Sequence, residues 1–148
     1  MEISLANIGA SETRRELTAV NEKAARYGLA LTEGELEGLL IERKRALEAA
    51  GRVEMSSGIL PRLIEEFMPS PYVSRADFAE TLASLLESFY YFKNECEESM
   101  TDGELLERMR YVFDEKAHGA LELLSDMTLC DLMRGEVCDE EDEDDEWD

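Results

Sequence analysis

One long amphipathic stretch, from Ser74 to about Ser99, most constrains the fold of this chain, because it contains neither proline nor glycine. Apolar side chains recur through it at the 3.6-residue spacing that places them on one face of a helix. They are Phe78, Leu82, Leu85, Leu86, Phe89, Phe92 and Cys96. Ser74, followed three residues later by Asp77, resembles a capping box with Asp in place of Glu or Gln. The pattern predicts one long central helix at about 75–99, against which the other helices pack.

Shorter segments with the same periodicity flank this stretch on both sides. Thr32 with Glu35 and Thr101 with Glu104 are capping boxes, which are typical of helix starts. The predicted helices other than the central one lie at roughly 11–28, 33–50, 58–68, 102–117, 119–125 and 129–134. The predicted fold class is therefore all-α, with six or seven helices.

Three short segments are predicted to be extended rather than helical. Residues 1–10 are irregular, and the apolar side chains of Ile3, Leu5 and Ile8 indicate an arm laid on the core. Residues 29–31 and 53–55 are each too short for a helix, and they are candidates to pair as a minimal two-stranded sheet.

The charge of the chain is strongly negative, at -21 formally, and much of it lies at one end. Residues 136–148 hold ten acids and no base, which leaves 26 acids against 15 bases in residues 1–135. A segment so charged and so poor in apolar side chains cannot bury enough surface to fold. The predicted organisation is one helical domain at 1–135 and a disordered acidic tail at 136–148.

This charge balance excludes some partners and favours others. Binding of DNA, RNA or an anionic membrane surface needs Lys and Arg against phosphate, so none of these is expected. A protein partner carrying basic side chains fits, and a homo-oligomer stays open. No apolar run reaches membrane-spanning length, and residues 1–12 do not resemble a secretory leader. Three cysteines without metal-ligand spacing indicate free thiols, and so a reducing, cytoplasmic location.

A set of short segments resembles a known group of proteins. The segments are Gly51-Arg52-Val53-Glu54, Ser70-Pro71-Tyr72, Phe89-Tyr90-Tyr91-Phe92-Lys93-Asn94-Glu95 and Gly119-Ala120-Leu121-Glu122 followed by Leu124. Together they resemble small, uncharacterised bacterial proteins of unknown function, over roughly residues 10–135 and without the acidic tail. The resemblance implies a bacterial, cytoplasmic, mostly helical domain, and it implies no activity, ligand or functional residue.

One pair of side chains has the spacing of a metal site. Glu115 and His118 form a Glu-x-x-His pair, which on a helix places both side chains on one face, as in di-iron bundles. Those bundles need a second such pair, and this chain contains one histidine. A mononuclear site with Glu115, His118 and another acid stays open. The competing interpretation, which the sequence favours, is a helix-end histidine interacting with the helix dipole.

Three aromatic residues are candidates for contact with a partner. Tyr91 lies nearly opposite the apolar stripe of the central helix, where burial by a neighbouring segment is the favoured interpretation and a partner site with Tyr72 the alternative. Trp147 is unusual in an acidic tail and could anchor that tail to a groove or to a partner.

No phosphate loop, nucleophile motif, calcium loop or paired-cysteine motif is present in the sequence, so no cofactor is expected. The sequence therefore predicts a non-catalytic protein-binding or scaffolding module. One alternative is a metal-binding protein or enzyme centred on Glu115 and His118. Another is an acidic mimic of nucleic acid that binds a basic protein.

Overall fold

The computed structural model describes the backbone of residues 5–135 and the side chains of residues 12–135. Seven helices lie in this part of the chain. They are α1 (Leu5–Ala25), α2 (Glu33–Ala50), α3 (Leu60–Phe67), α4 (Phe78–Cys96), α5 (Asp102–Glu115), α6 (Leu121–Ser125) and α7 (Leu129–Arg134). Buried apolar side chains from all seven form the core. The predicted all-α class and the predicted number of helices are confirmed.

Local signals set the bounds of α2. The N–H of Glu35 donates to Thr32 Oγ1 at 3.0 Å, and the N–H of Thr32 donates to Glu35 Oε1 at 2.9 Å. This reciprocal capping satisfies two backbone donors that have no partner inside the helix. Gly51 ends the helix at φ 71°, a left-handed conformation that glycine adopts without steric cost. The predicted range of 33–50 is therefore confirmed.

Thr101 caps α5 in the same way, with its hydroxyl oxygen accepting from the N–H of Glu104 at 3.1 Å. We expect Thr101→Ala to lower the free energy of unfolding by about 1 kcal/mol, because the cap is lost while the buried core is untouched. Urea denaturation followed by helical circular dichroism measures this. Thr101→Ser retains a hydroxyl and serves as the control. Equal losses for the two variants would contradict a role for the hydroxyl.

α4 is the helix against which most of the others pack, since α2, α3, α5, α6 and α7 all contact it. Its apolar stripe is buried as the periodicity predicts. The fully or almost fully buried members are Phe78, Leu82, Leu85, Leu86, Phe89, Phe92 and Cys96. The helix is shorter at both ends than the predicted 75–99.

Turns at both ends shorten α4. The N–H of Asp77 donates to Ser74 O at 3.2 Å, so these residues form a turn before the helix, and Asp77 makes no side-chain cap. At the other end Glu97 and Glu98 have φ of 52° and 69°, which reverses the chain. The buried ammonium of Lys93 holds the reversed segment by donating to Met100 O at 2.6 Å.

The predicted N-terminal arm and the predicted start of the first helix at Ser11 are wrong. Leu5 and Ile8 lie within α1, whereas Ile3 lies outside the described residues. Once a helix has formed, each added residue gains a backbone hydrogen bond, and no proline precedes Ser11 to stop this extension. The helix ends at Ala25 rather than at the predicted residue 28.

The predicted pairing of residues 29–31 with 53–55 is also wrong, since no strand occurs in the described part of the chain. The Asn21 carboxamide accepts from the Leu31 N–H at 2.7 Å and donates to Leu31 O at 2.9 Å. This side chain occupies both backbone groups that a strand would use. In the other segment Glu54 turns inward to Arg43, with Nε and Oε1 2.9 Å apart.

The remaining boundaries agree with prediction to within two residues, and those of α7 agree at both ends. Pro61 lies in the first turn of α3, which begins at Leu60 rather than at residue 58. α5 ends at Glu115 rather than at 117, because His118 and Gly119 have φ of 50° and 83° and reverse the chain before α6.

Within residues 5–135, no helix combines the length and the apolar character that a bilayer span requires.

Candidate functional site

A cleft of about 710 Å³ lies between α1 and α2. The two helices follow each other in sequence, but α1 packs chiefly on α3 and α2 packs chiefly on α4. The connection between them is held in place by the buried side chains of Leu29 and Leu31. Because each helix packs against a different neighbour, the surface between α1 and α2 is left open.

The floor of this cleft is apolar. It is formed by Leu17 of α1, by Leu36, Leu40 and Leu47 of α2, and by Val53 at one end, and we refer to it as the leucine cleft. Leu36, Leu40 and Leu47 share one face of α2, since residues four and seven apart lie one above the other on a helix. Leu36 and Leu40 are only half-buried, so this face has no complete partner within the described chain.

Charged side chains surround the apolar floor. The bases are Arg14, Arg43, Lys44 and Arg52, and the acids are Glu33, Glu37, Glu48 and Glu54. Arg14 pairs with Glu33 at 2.8 Å in the open solvent, where such pairs contribute little. Within the described chain, Glu37 and Glu48 form no ion pair. Lys44, which lies between them on α2, forms no ion pair in the described chain either, so the rim offers unpaired charges of both signs.

A buried polar network holds the end of the leucine cleft. Glu54 Oε1 accepts from Arg43 Nε at 2.9 Å, from the Tyr90 hydroxyl at 2.6 Å and from the N–H of Ile59 at 3.3 Å. Burial, together with the neighbouring Glu54 carboxylate, raises the pKa of Tyr90 and keeps it a neutral donor. Gly58 is required here, because a Cβ at that position would lie 1.9 Å from Glu54 Oε1.

Anchoring Glu54 inward turns its two neighbours outward. Val53 is 91% exposed and Met55 is 83% exposed, the highest values among the large apolar side chains of the described residues. Apolar side chains this exposed at the end of an apolar cleft extend its surface beyond the helices. The sequence reasoning missed this feature, although the alternation of Val53, Glu54 and Met55 was the available signal.

For Tyr91 the sequence favours burial by a neighbouring segment, with a role in partner binding as the alternative. The residue is 44% exposed, so the burial interpretation is wrong. It lines a second groove, of about 450 Å³, between α2 and α4. Its ring packs edge-on against Phe92, with ring centroids 5.3 Å apart. Its role in binding a partner stays a prediction.

Tyr72 is 45% exposed, and its side-chain contacts do not include Tyr91. Its hydroxyl is 3.3 Å from His118 Nδ1, and its ring packs edge-on against Phe113. Gly119 packs directly under this ring, since a Cβ there would lie 2.6 Å from Tyr72 Cβ. The structure therefore does not join Tyr72 and Tyr91 in one site, and Trp147 lies outside the described residues.

The Glu115 and His118 pair does not share a helix. α5 ends at Glu115, and His118 lies in the turn that follows, where it contacts Tyr72. Among the described residues, no three His, Cys, Asp or Glu side chains are grouped so as to hold a metal ion. The side chain that the structure brings against His118 is that of Tyr72.

Cys96 and Cys130 are both free thiols, the first buried and the second exposed. The Cys96 thiol donates to Lys93 O at 3.4 Å, a contact that serves the end of α4.

The fold and the site define a class: an all-helical protein whose first two helices enclose an apolar cleft with a charged rim. The chain belongs to a family of unknown function (DUF6323), which it matches over residues 16–141. This assignment confirms the resemblance to uncharacterised proteins, but the match continues into the acidic tail, which the resemblance had left out. No curated protein and no solved structure matches the chain significantly.

Proposed function

We propose that this protein is a non-catalytic binding module that accepts an amphipathic helix of a protein partner in the leucine cleft. The observation that carries the proposal is the half-buried leucine face of α2, which opens onto about 710 Å³ of unfilled space. Recognition of a helix in a groove uses this arrangement, in which apolar residues three and four apart enter an apolar channel.

The excess of acidic residues in the protein favours a partner that carries basic side chains. The rim of the cleft holds four bases and four acids, but residues 1–135 as a whole carry 26 acids against 15 bases. A helix with Lys or Arg beside its apolar stripe places these bases against the rim and is attracted from a distance by the acidic surface. The partner is therefore proposed to be basic, and neither nucleic acid nor an anionic membrane.

The cellular setting is part of the same proposal. Free Cys96 and Cys130 thiols suit a reducing cytoplasm. A bacterial source, which the resemblance implies, stays a prediction.

A fluorescent peptide of about 18 residues, or five helical turns, tests the proposal. It carries leucine at i, i+3, i+4 and i+7 with lysine elsewhere, and its binding is measured by anisotropy. We expect Val53→Glu to weaken binding about tenfold or more, because the bound peptide would cover this carboxylate with its leucines, a cost that exceeds the added attraction to its lysines. Leu40→Ala, which adds no charge, is expected to weaken binding as well.

The controls separate the cleft from bulk charge. Met133→Glu makes the same charge change on α7, at a side chain exposed to 44%, and is expected to leave the affinity unchanged. A peptide of the same composition with its leucines scattered is expected not to bind. Equal changes in affinity on Val53→Glu and Met133→Glu, of either sign, would show that the peptide senses only the overall charge, and the proposal would fail.

A further inference from the structure

The groove that contains Tyr91, between the second half of α2 and α4, carries a separate inference, which does not rest on the leucine cleft. Its floor is small and apolar, formed by Ala46, Ala49 and Ala50, and Tyr91 lies at its edge. Alanine at these positions lets the two helices approach while leaving about 450 Å³ between their side chains. We call this the Tyr91 groove.

The Tyr91 groove has more acids than bases. Glu42, Glu87 and Glu95 line it, against Arg45 alone. Arg45 is 72% exposed and reaches Glu42 at a long 3.4 Å. Arg45 is the one base among the described lining residues, and the Arg52 guanidinium reaches the edge of the groove by donating to Asn94 Oδ1 at 2.7 Å.

Two of these acids face each other across the groove. The nearby carboxyl group of Glu42, together with burial, raises the pKa of Glu87 above its usual value. The positive charge of Arg45 lowers the pKa of Glu87, but not enough to cancel this rise. Only one base lies at the rim beside these two acids. A further cation placed between them would therefore stabilise their ionised forms.

The aromatic ring decides which cation fits. Tyr91 is exposed to 44% at the edge of the groove, and a cation placed over a tyrosine ring is attracted by its π electrons. A guanidinium is flat, stacks on aromatic rings and bonds carboxylates through two N–H groups at once, which a lysine ammonium does not do. The small alanine floor admits a flat group.

We infer that the Tyr91 groove binds an arginine side chain of a protein partner, with the guanidinium between the Glu42 and Glu87 carboxylates and the Tyr91 ring. The charge complementarity of three acids against one base and the exposed ring beside them support this occupant over an apolar one. A guanidinium binds the ionised form of these acids, so the affinity for arginine rises with pH as Glu87 ionises.

N-acetyl-arginine amide is the probe, titrated into the full-length protein and followed by the NMR shifts of backbone amides. We expect saturable shifts confined to residues 42–50 and 87–95, and none with the citrulline analogue, which has the same shape without the charge. Glu87→Gln is expected to weaken binding at least about fivefold, the loss of one charge-assisted contact, and to abolish its rise with pH. Tyr91→Leu is expected to weaken it about threefold.

Two controls make the result decisive. Glu80→Gln removes the same charge from the exposed first turn of α4, outside the groove, and is expected to change nothing. Val53→Glu, which tests the leucine cleft, is expected to leave the arginine response in place, so the two proposals fail separately. Equal shifts from the citrulline analogue, or equal weakening by Glu80→Gln and Glu87→Gln, would overturn the inference.

Discussion

Phe89→Ala is expected to lower the free energy of unfolding by about 3–5 kcal/mol, the range for removing a buried aromatic ring. Phe89 is 1% exposed at the centre of α4, with its ring edge-on to that of Tyr90 at 5.3 Å. The cost combines the lost transfer of the ring from water with the cavity left among its neighbours. Since small domains are stable by only about 5–15 kcal/mol in total, this single change removes a large part of the margin.

Tyr91→Ala is the matched control, because it removes a ring of similar size two positions along the same helix. Tyr91 is 44% exposed, so a loss well below that of Phe89→Ala is expected. Urea denaturation followed by circular dichroism compares the two midpoints, with the slope of the transition unchanged. Similar losses for both variants would contradict the placement of the apolar face of α4 in the core.

Glu54→Ala is the second large expected effect, at about 3 kcal/mol, the lower end of the range for breaking a buried ion pair from one side, because this pair is largely but not fully buried. The side chains of Arg43 and Glu54 are 11% and 18% exposed. Without the carboxylate, the Arg43 guanidinium stays buried without its counter-charge, and the Tyr90 hydroxyl loses its acceptor. The loop that presents Val53 and Met55 is released as well, so binding of the leucine–lysine peptide should weaken.

Glu33→Ala provides the comparison for this network. It breaks the Arg14–Glu33 pair, whose side chains are 66% and 71% exposed, and a loss below about 1 kcal/mol is expected. Glu54→Gln keeps an oxygen that can accept from Tyr90 but removes the charge, so its cost should fall between the two. If denaturation gave Glu54→Ala and Glu33→Ala the same cost, the buried network would not be what holds the loop.

Several features of the fold could be read from neighbouring residues alone. The bounds of α2 follow from Thr32, Glu35 and Gly51, which act on backbone groups within a few residues of themselves. The buried stripe of α4 follows from its periodicity. The boundaries that were wrong, such as the end of α4, depend on residues like Lys93, whose partner Met100 lies in the loop beyond its own helix.

The candidate sites were largely beyond such reasoning. Arg43, Glu54 and Tyr90 meet although Tyr90 lies 36 positions from Glu54, and no pattern in the sequence marks them as partners. Tyr91 was singled out as an aromatic on a polar face, but its exposure depends on how closely α2 approaches α4. Tyr72 and His118 contact each other across 46 positions, which the Glu-x-x-His spacing did not indicate.

The sequence by itself determined the all-helical class, most of the helices and the apolar face of each, because helix formation depends on hydrogen bonds and side-chain spacing within a few residues. Only the tertiary structure decided that α1 packs on α3 while α2 packs on α4, and that a leucine cleft therefore opens between two consecutive helices. That choice depends on the fit between apolar faces distant in the chain, and periodicity identifies each face without identifying its partner.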